Sequence, residues 1–235
     1  MQPSARRTPP LVVLILAAAL PLSVRATPPS PTDNSIRQFL ARDHTQRAYK
    51  GTRRLEAANG DRTGWIQATT EYSQQNGFEY QVTAEGGSEY IRNKVLRPVL
   101  EGERSAFLKG EAARSALAHA NYTFEAHGID ADGLVNIRLS PRRKERMLVA
   151  GTMFLSPDDG ALVRLQGRLA KSPSFWVKSV QIVRSYKRIN NVVLPVRLET
   201  NARLKLLGPA TLRMTYAYSE IDGHPVAAGN AITGE

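Results

Sequence analysis

The sequence predicts a mainly β protein of the α+β kind. The expected architecture is an incomplete antiparallel barrel of ten or eleven strands, with helices forming a lid over the concave face. Three observations predict it. From residue 160 to 222 the chain alternates with period two: Val192, Leu194, Val196 and Leu198, then Ala202, Leu204 and Leu206, stand against Arg197, Glu199, Asn201, Arg203 and Lys205. Successive strand side chains point to opposite faces, so each such run has one apolar and one polar face. Turn signals separate the runs, as in Asn76-Gly77 and Asn190-Asn191, which is the pattern of hairpins. Only residues 89–119 carry a sustained helical period, too little material to hide the apolar side of so long a sheet.

The elements follow in order. Arg6 and Arg7 precede an apolar run, Leu11 to Leu22, and Val24-Arg25-Ala26 offers a cleavage site. Residues 1–26 therefore read as a secretory signal peptide, with an uncleaved anchor as the alternative. The run is shorter than the ~20 residues a membrane span needs. A twin-arginine signal is disfavoured by Thr8-Pro9-Pro10 after the arginine pair. Residues 27–34 read as a proline-rich, disordered lead-in, 35–222 as one domain, and 223–235 as a flexible tail. Ser35 to Leu40 predicts a short amphipathic helix capped by Asn34.

Strands are expected over about 46–58, 63–74 and 78–85, the first two joined through Gly60-Asp61. After Gly86-Gly87 the period changes. One helix carries Ile91 and Val95 and is limited by Pro98. A second runs from about Glu103 to His119, with Phe107, Gly110, Ala113 and Leu117 at helical spacing. Strands resume at Tyr122 and Phe124. Met147 to Leu155 is apolar on both parities, as in a strand covered on both faces. Ser174 to Arg188 reads as a longer strand with Trp176, Val180, Ile182 and Tyr186 on one side.

The chain has no cysteine, so it forms no disulfide and has no thiol nucleophile or lipoprotein acylation site. Its net charge is +11; Arg6, Arg7 and Arg25 carry three of those charges, leaving +8 beyond the leader. An exported basic protein suits anionic partners, with nucleic acid excluded by the compartment. The densest basic run, Arg142, Arg143, Lys144 and Arg146, reads either as a solvated loop or as a contact with a membrane or an envelope partner.

The four histidines are scattered, and none has ligand spacing. Asp130 to Asp132 and Asp158-Asp159-Gly160 read as turns, since the ligand spacing of a calcium loop is missing. No catalytic residue, metal or cofactor is expected. Trp65, Phe78, Tyr80, Tyr122, Phe124, Trp176, Leu198, Met214 and Tyr216 are the candidate lining of an apolar cavity, although ordinary core packing accounts for any one of them alone. Trp65 stands on the more polar parity. Ile91, Val95, Phe107 and Leu117 are the candidate lid.

The order of elements resembles the periplasmic lipoprotein-carrier fold, shared by Lol-type lipoprotein carriers, lipoprotein-sorting-like proteins and envelope-stress sensor domains. The wording is similar at Met153-Phe154-Leu155-Ser156-Pro157-Asp158-Asp159-Gly160 and from Val183 to Val196. These motifs are turns and strand edges. The resemblance implies a soluble periplasmic protein that binds a lipid or an acylated protein within an incomplete barrel. An envelope regulator or scaffold that binds another protein, without a ligand, is the alternative. A hydrolase would need polar residues converging in the cavity.

Overall fold

The computed structural model describes residues 31–42 and 47–227. The expected signal peptide lies outside them, as do residues 27–30 of the lead-in; its other half, 31–34, is helical rather than disordered. Helix α1 spans Pro31–Ala41, so it starts before Asn34. Asn34 is therefore not a cap: inside the helix, its Oδ1 accepts a bond from Arg37 at 3.4 Å. Pro31 opens the first turn, where a helix has no use for the missing N–H.

Ten strands form one antiparallel path, and a short eleventh pairs at its side. They are β1 (Tyr49–Asn59), β2 (Arg62–Ser73), β3 (Gly77–Gly87), β4 (Tyr122–Ile129), β5 (Val135–Pro141), β6 (Val149–Leu155), β7 (Leu162–Leu169), β8 (Val177–Ile189), β9 (Val192–Leu204), β10 (Gly208–Ile221) and β11 (His224–Pro225). The spatial order is β3-β2-β1-β10-β9-β8-β7-β6-β5-β4. The first hairpins thus join the last long strand through β1 and β10, which leaves β3 and β4 as edges. The sheet is not closed. The helical excursion runs from one edge to the other.

Turn chemistry sets the hairpins. Asn190 and Asn191 have φ of 45° and 65°, the double left-handed conformation of a two-residue hairpin that asparagine tolerates. Asp222 and Gly223 repeat it at the start of β11, with φ of 49° and 78°. The tail therefore adds a strand before the described residues end.

The two expected helices are one nearly continuous rod: α2 (Glu89–Ile91), a π-helical turn (Arg92–Leu96) and α3 (Arg97–Leu108). Pro98 does not end it. It lies in the first turn of α3, just after the widened turn, where the wider spacing accommodates its ring and its missing donor. The rod stops earlier than its period suggested. Gly110 has φ +64°, the left-handed conformation that terminates helices. A single turn, α4 (Ala112–Ser115), follows. Leu117 lies beyond it, outside any helix.

Two apolar cores occupy one face of the sheet. The first joins Leu55, Ile66, Phe78, Leu198, Met214 and Tyr216 to Ile91, Leu96 and Leu100 of the rod. The second joins Tyr122, Ile137, Leu139, Met153, Leu155 and Leu165 to Phe39 of α1. On β6 the other face is covered too, since Phe154 is buried beneath the Arg164 guanidinium, 4.1 Å from its ring. That accounts for the strand with apolar residues on both parities.

Candidate functional site

Strand register places the inner residues in rows. Crossing the sheet from β2 to β5, one row reads Ile66, Leu55, Met214, Leu198, Arg184, Leu165, Met153 and Ile137. Every member except Arg184 is a buried apolar residue. In the adjacent row Ala68 pairs with Arg53, and Arg53 with Tyr216. Arg53 therefore sits within the first core, among Tyr49, Phe78 and Tyr216, whereas Arg184 stands between Leu198 of the first core and Leu165 of the second.

Arg53 is 3% exposed. Its guanidinium carbon lies 4.5 Å from the Phe78 ring and 4.7 Å from the Tyr216 ring. It donates to both carboxylate oxygens of Glu103 on α3 and to the Tyr49 hydroxyl. Burial works against its charge, but Glu103 holds it protonated more firmly than a free arginine. Arg184 is half-buried and bonds Tyr186. Burial opposes its charge as well, and the neighbouring oxygens of Tyr186 and Tyr216 favour it. Burial pushes the Tyr216 hydroxyl up, against the opposing fields of Arg184 and Arg53. Arg53 and Arg184 thus share the field of one carboxylate, Glu103, with the hydroxyls of Tyr49, Tyr186 and Tyr216 nearby. Nε of each arginine has no hydrogen-bond partner.

The expected cavity residues separate into groups. Phe78, Leu198, Met214 and Tyr216 belong to the first core, with Tyr80 packed against it. Tyr122 belongs to the second, with Phe124 packed against it. Tyr122 is 1% exposed and its hydroxyl accepts the Val149 N–H at 3.1 Å. Trp65 stands on the opposite face of β2, with Arg54 4.3 Å from its ring. Its parity, next to Gln67 and Thr69, had signalled that. Trp176 lies in the loop before β8 and is 59% exposed; a register shift at Val177/Ser179 breaks the alternation there.

Of the lid residues, Ile91, Val95 and Phe107 pack on the first core, whereas Leu117 packs on the second. Ion pairs tie the rod to the sheet. Glu85 of β3 meets Arg92 and Arg97, each at 2.6 Å, and Glu79 meets Arg104 at 3.4 Å. Glu101 accepts the Tyr80 hydroxyl at 3.3 Å.

The basic run divides. Arg142 donates to the carbonyls of His119 and Tyr122. Arg143 donates to Glu145, Asn121 Oδ1 and the Arg114 carbonyl. These two bind the chain entering β4. Lys144 and Arg146 are exposed. Bonds from Arg143 and Arg114 hold the Glu145 carboxyl below its ordinary range.

Cover over the inner face is uneven. Beneath the rod and α1 the side chains are buried, but Val180 and Ile182 of β8, Ala202 and Leu204 of β9 and Leu212 of β10 are only half-buried. They form an apolar gutter that starts at Arg184 and runs toward the β9–β10 turn. An open depression of about 760 Å³ lies at that turn, lined by Lys178, Arg203, Leu204, Lys205, Gly208 and Pro209. A second, of about 510 Å³, lies between β3 and the rod and is lined by Tyr80, Asn93, Arg97, Pro98, Glu101, Gly102 and Ser105. Among the described residues no group of three His, Asp or Glu side chains could hold a metal. None of their helices is long and apolar enough to cross a membrane.

Arg53, Arg184 and Glu103 are the site residues that sequence reasoning missed. A signal existed for the arginines. Arg53 shares its parity with Tyr49, Leu55 and Ala57, and Arg184 shares its parity with Val180, Ile182 and Tyr186.

No protein-family model and no curated protein matches the chain. Among solved structures, it is similar to a LolA superfamily protein from Nitrosomonas europaea, with 9% identity over 79% of this chain and 91% of that one, at a TM-score of 0.41. It is similar to a DUF1329 family protein from Desulfovibrio piger, with 8% identity over 80% and 90% of the two chains, also at 0.41. The MucA/MucB complex of Pseudomonas aeruginosa matches with 11% identity over 86% and 96%, at a TM-score of 0.22.

Proposed function

We propose that the protein is a periplasmic binding protein or carrier for an apolar guest, a lipid or a lipoprotein acyl chain, held in the open barrel. The observation that carries this reading is the gutter of Val180, Ile182, Ala202, Leu204 and Leu212, half-buried beside two helix-covered cores. Apolar surface left in water costs ~25 cal/mol per Å². An alkyl chain laid along the gutter would recover ~0.8 kcal/mol for each CH₂ it buries. Arg184 at the closed end gives the guest an orientation. A carboxylate or phosphate head beside it would balance the Arg184 charge, since Glu103 is already paired with Arg53, with the tail lying toward the β9–β10 turn. Transfer then needs no chemistry, only a difference in affinity between donor and acceptor.

Displacement of a fluorescent fatty acid tests this. Ile182→Lys should weaken binding at least tenfold while the circular dichroism spectrum stays unchanged. Arg184→Met should weaken a fatty acid but spare the fatty alcohol of equal length. Recovery of only empty protein in native mass spectrometry, together with no binding of the fluorescent acid, would defeat the proposal.

A second reading rests on the edge strand β4. Glu125 to Ile129 are exposed along it, Ile129 at 56%, and among the described residues no strand pairs its outer side. An envelope protein could add a strand there, which would make the protein a regulator or scaffold without a guest.

A further inference from the structure

The antiparallel register brings the turns after β1, β5, β7 and β9, and the exit from β3, to one end of the sheet. Eight large apolar side chains are exposed among the described residues, and six of them cluster at that end: Tyr90, Met147, Phe175, Trp176, Leu206 and Leu207. Leu206 and Leu207 are 78% and 58% exposed, and Phe175 is 74% exposed. Their presentation is built. Asn59 Nδ2 donates to the carbonyls of Leu207 and Pro209 at 2.8 and 2.9 Å. The Lys205 N–H donates to the Trp176 carbonyl at 2.9 Å, and its Nζ lies 3.4 Å from the Phe175 ring. The Ala170 N–H donates to the Leu148 carbonyl, which fastens the loop after β5 to the loop after β7.

Exposed cations outnumber acids around this apolar tip. Lys144, Arg146, Lys171, Lys178, Arg203 and Lys205 are exposed, and none of them makes an ion pair among the described residues. The acids at this end are Asp61, Glu89 and Glu145, the last held between Arg114 and Arg143. Residues 170–179 and 201–209 contain none.

We infer that this end of the sheet docks on the surface of an anionic bilayer. Trp, Phe and Leu at turn tips, ringed by cations, match the interfacial zone of a membrane, where apolar groups enter the acyl boundary while basic heads stay among the phosphates. The rim mixes lysine with arginine, including the exposed Arg62 and Arg168 at the same end, and its positive charge complements the anionic headgroups of a bilayer. The inference is independent of any guest in the gutter.

Trp176 is its own reporter. The chain has two tryptophans, so Trp65→Phe leaves only Trp176 to emit. With vesicles of phosphatidylglycerol the emission should shift to the blue, the protein should co-sediment, and salt should reverse both. Leu206→Ser with Leu207→Ser in the same background should lower vesicle affinity at least tenfold, as should Lys178→Gln with Lys205→Gln, with the far-ultraviolet dichroism unchanged. No co-sedimentation overturns the inference, including a blue shift without it, which a lipid drawn into the gutter would give. Equal binding to phosphatidylcholine vesicles, or unaltered binding by the leucine variant, overturns it too.

Discussion

Arg53 has its guanidinium between Phe78 and Tyr216 and its hydrogen bonds on Glu103 and Tyr49. A cation so deep is tolerated because most of the cost of removing it from water is met by partners, two ring faces and a carboxylate, although its Nε keeps none. Removing one member of such a pair strands the other. Here Glu103 keeps a side-chain exposure of 37%, so water relieves part of the loss. Arg53→Ala should destabilise the fold by about 2 kcal/mol in urea unfolding. Arg53→Met, which keeps contact with both rings, should cost less. Equal losses from the two would show that the ring contacts contribute nothing beyond the charge. The same position shows how sequence reading fails locally. A cation on an apolar parity looks like a lapse in the pattern until a carboxylate 50 residues away in the chain is brought to it.

The rod over the first core depends on one place where a side chain is missing. Gly77 has φ +76°, and a Cβ there would come within 2.1 Å of the Phe107 ring. Phe107 also meets Tyr72 edge-on at 5.7 Å. The end of the rod is therefore seated on the bare start of β3, and glycine answers both the backbone angle and the ring. Gly77→Val should lift this end. Amide exchange in α3 should accelerate at least tenfold, while β5 and β6 in the other core keep their protection. Uniform acceleration would mean that the two cores are not separate. The hairpin around Gly77 was legible in Asn76-Gly77 because turn preference is local. The seat for Phe107 was not, since nothing in the sequence pairs residue 77 with residue 107.

Across the molecule, the two cores are joined by the sheet and by a few charged contacts between distant elements. Asp159 in the β6–β7 turn meets Arg42 just past α1 at 2.8 Å and also pairs with Arg188 near the end of β8. Burial pushes against its charge, but the Ala161 N–H and the two arginines win and hold the carboxyl below its ordinary range. A carboxyl lowered by folding adds stability that is fully present above its unfolded value and is lost as pH falls through the lower folded value. Asp159→Asn should thus lower the urea midpoint at pH 7 and make no difference at a pH where both forms are protonated. A variant as sensitive to acid as the parent over that range would refute this linkage.

Alternation, turn residues and the helical interlude are properties of neighbours along the chain, so the sequence alone established the strand count, the open antiparallel sheet and the helices over one face. It also excluded disulfide chemistry, because no cysteine exists to form one. Tertiary structure decided the rest. It decided that the inner face carries two cores, that Arg53 is buried within the first while Arg184 stands between them, that Trp65 turns outward, and that Trp176 joins Leu206 and Leu207 at one end. Each of these depends on which strands become neighbours. Pairing across tens to hundreds of residues is settled by burial over the whole chain, and no short stretch of sequence encodes it.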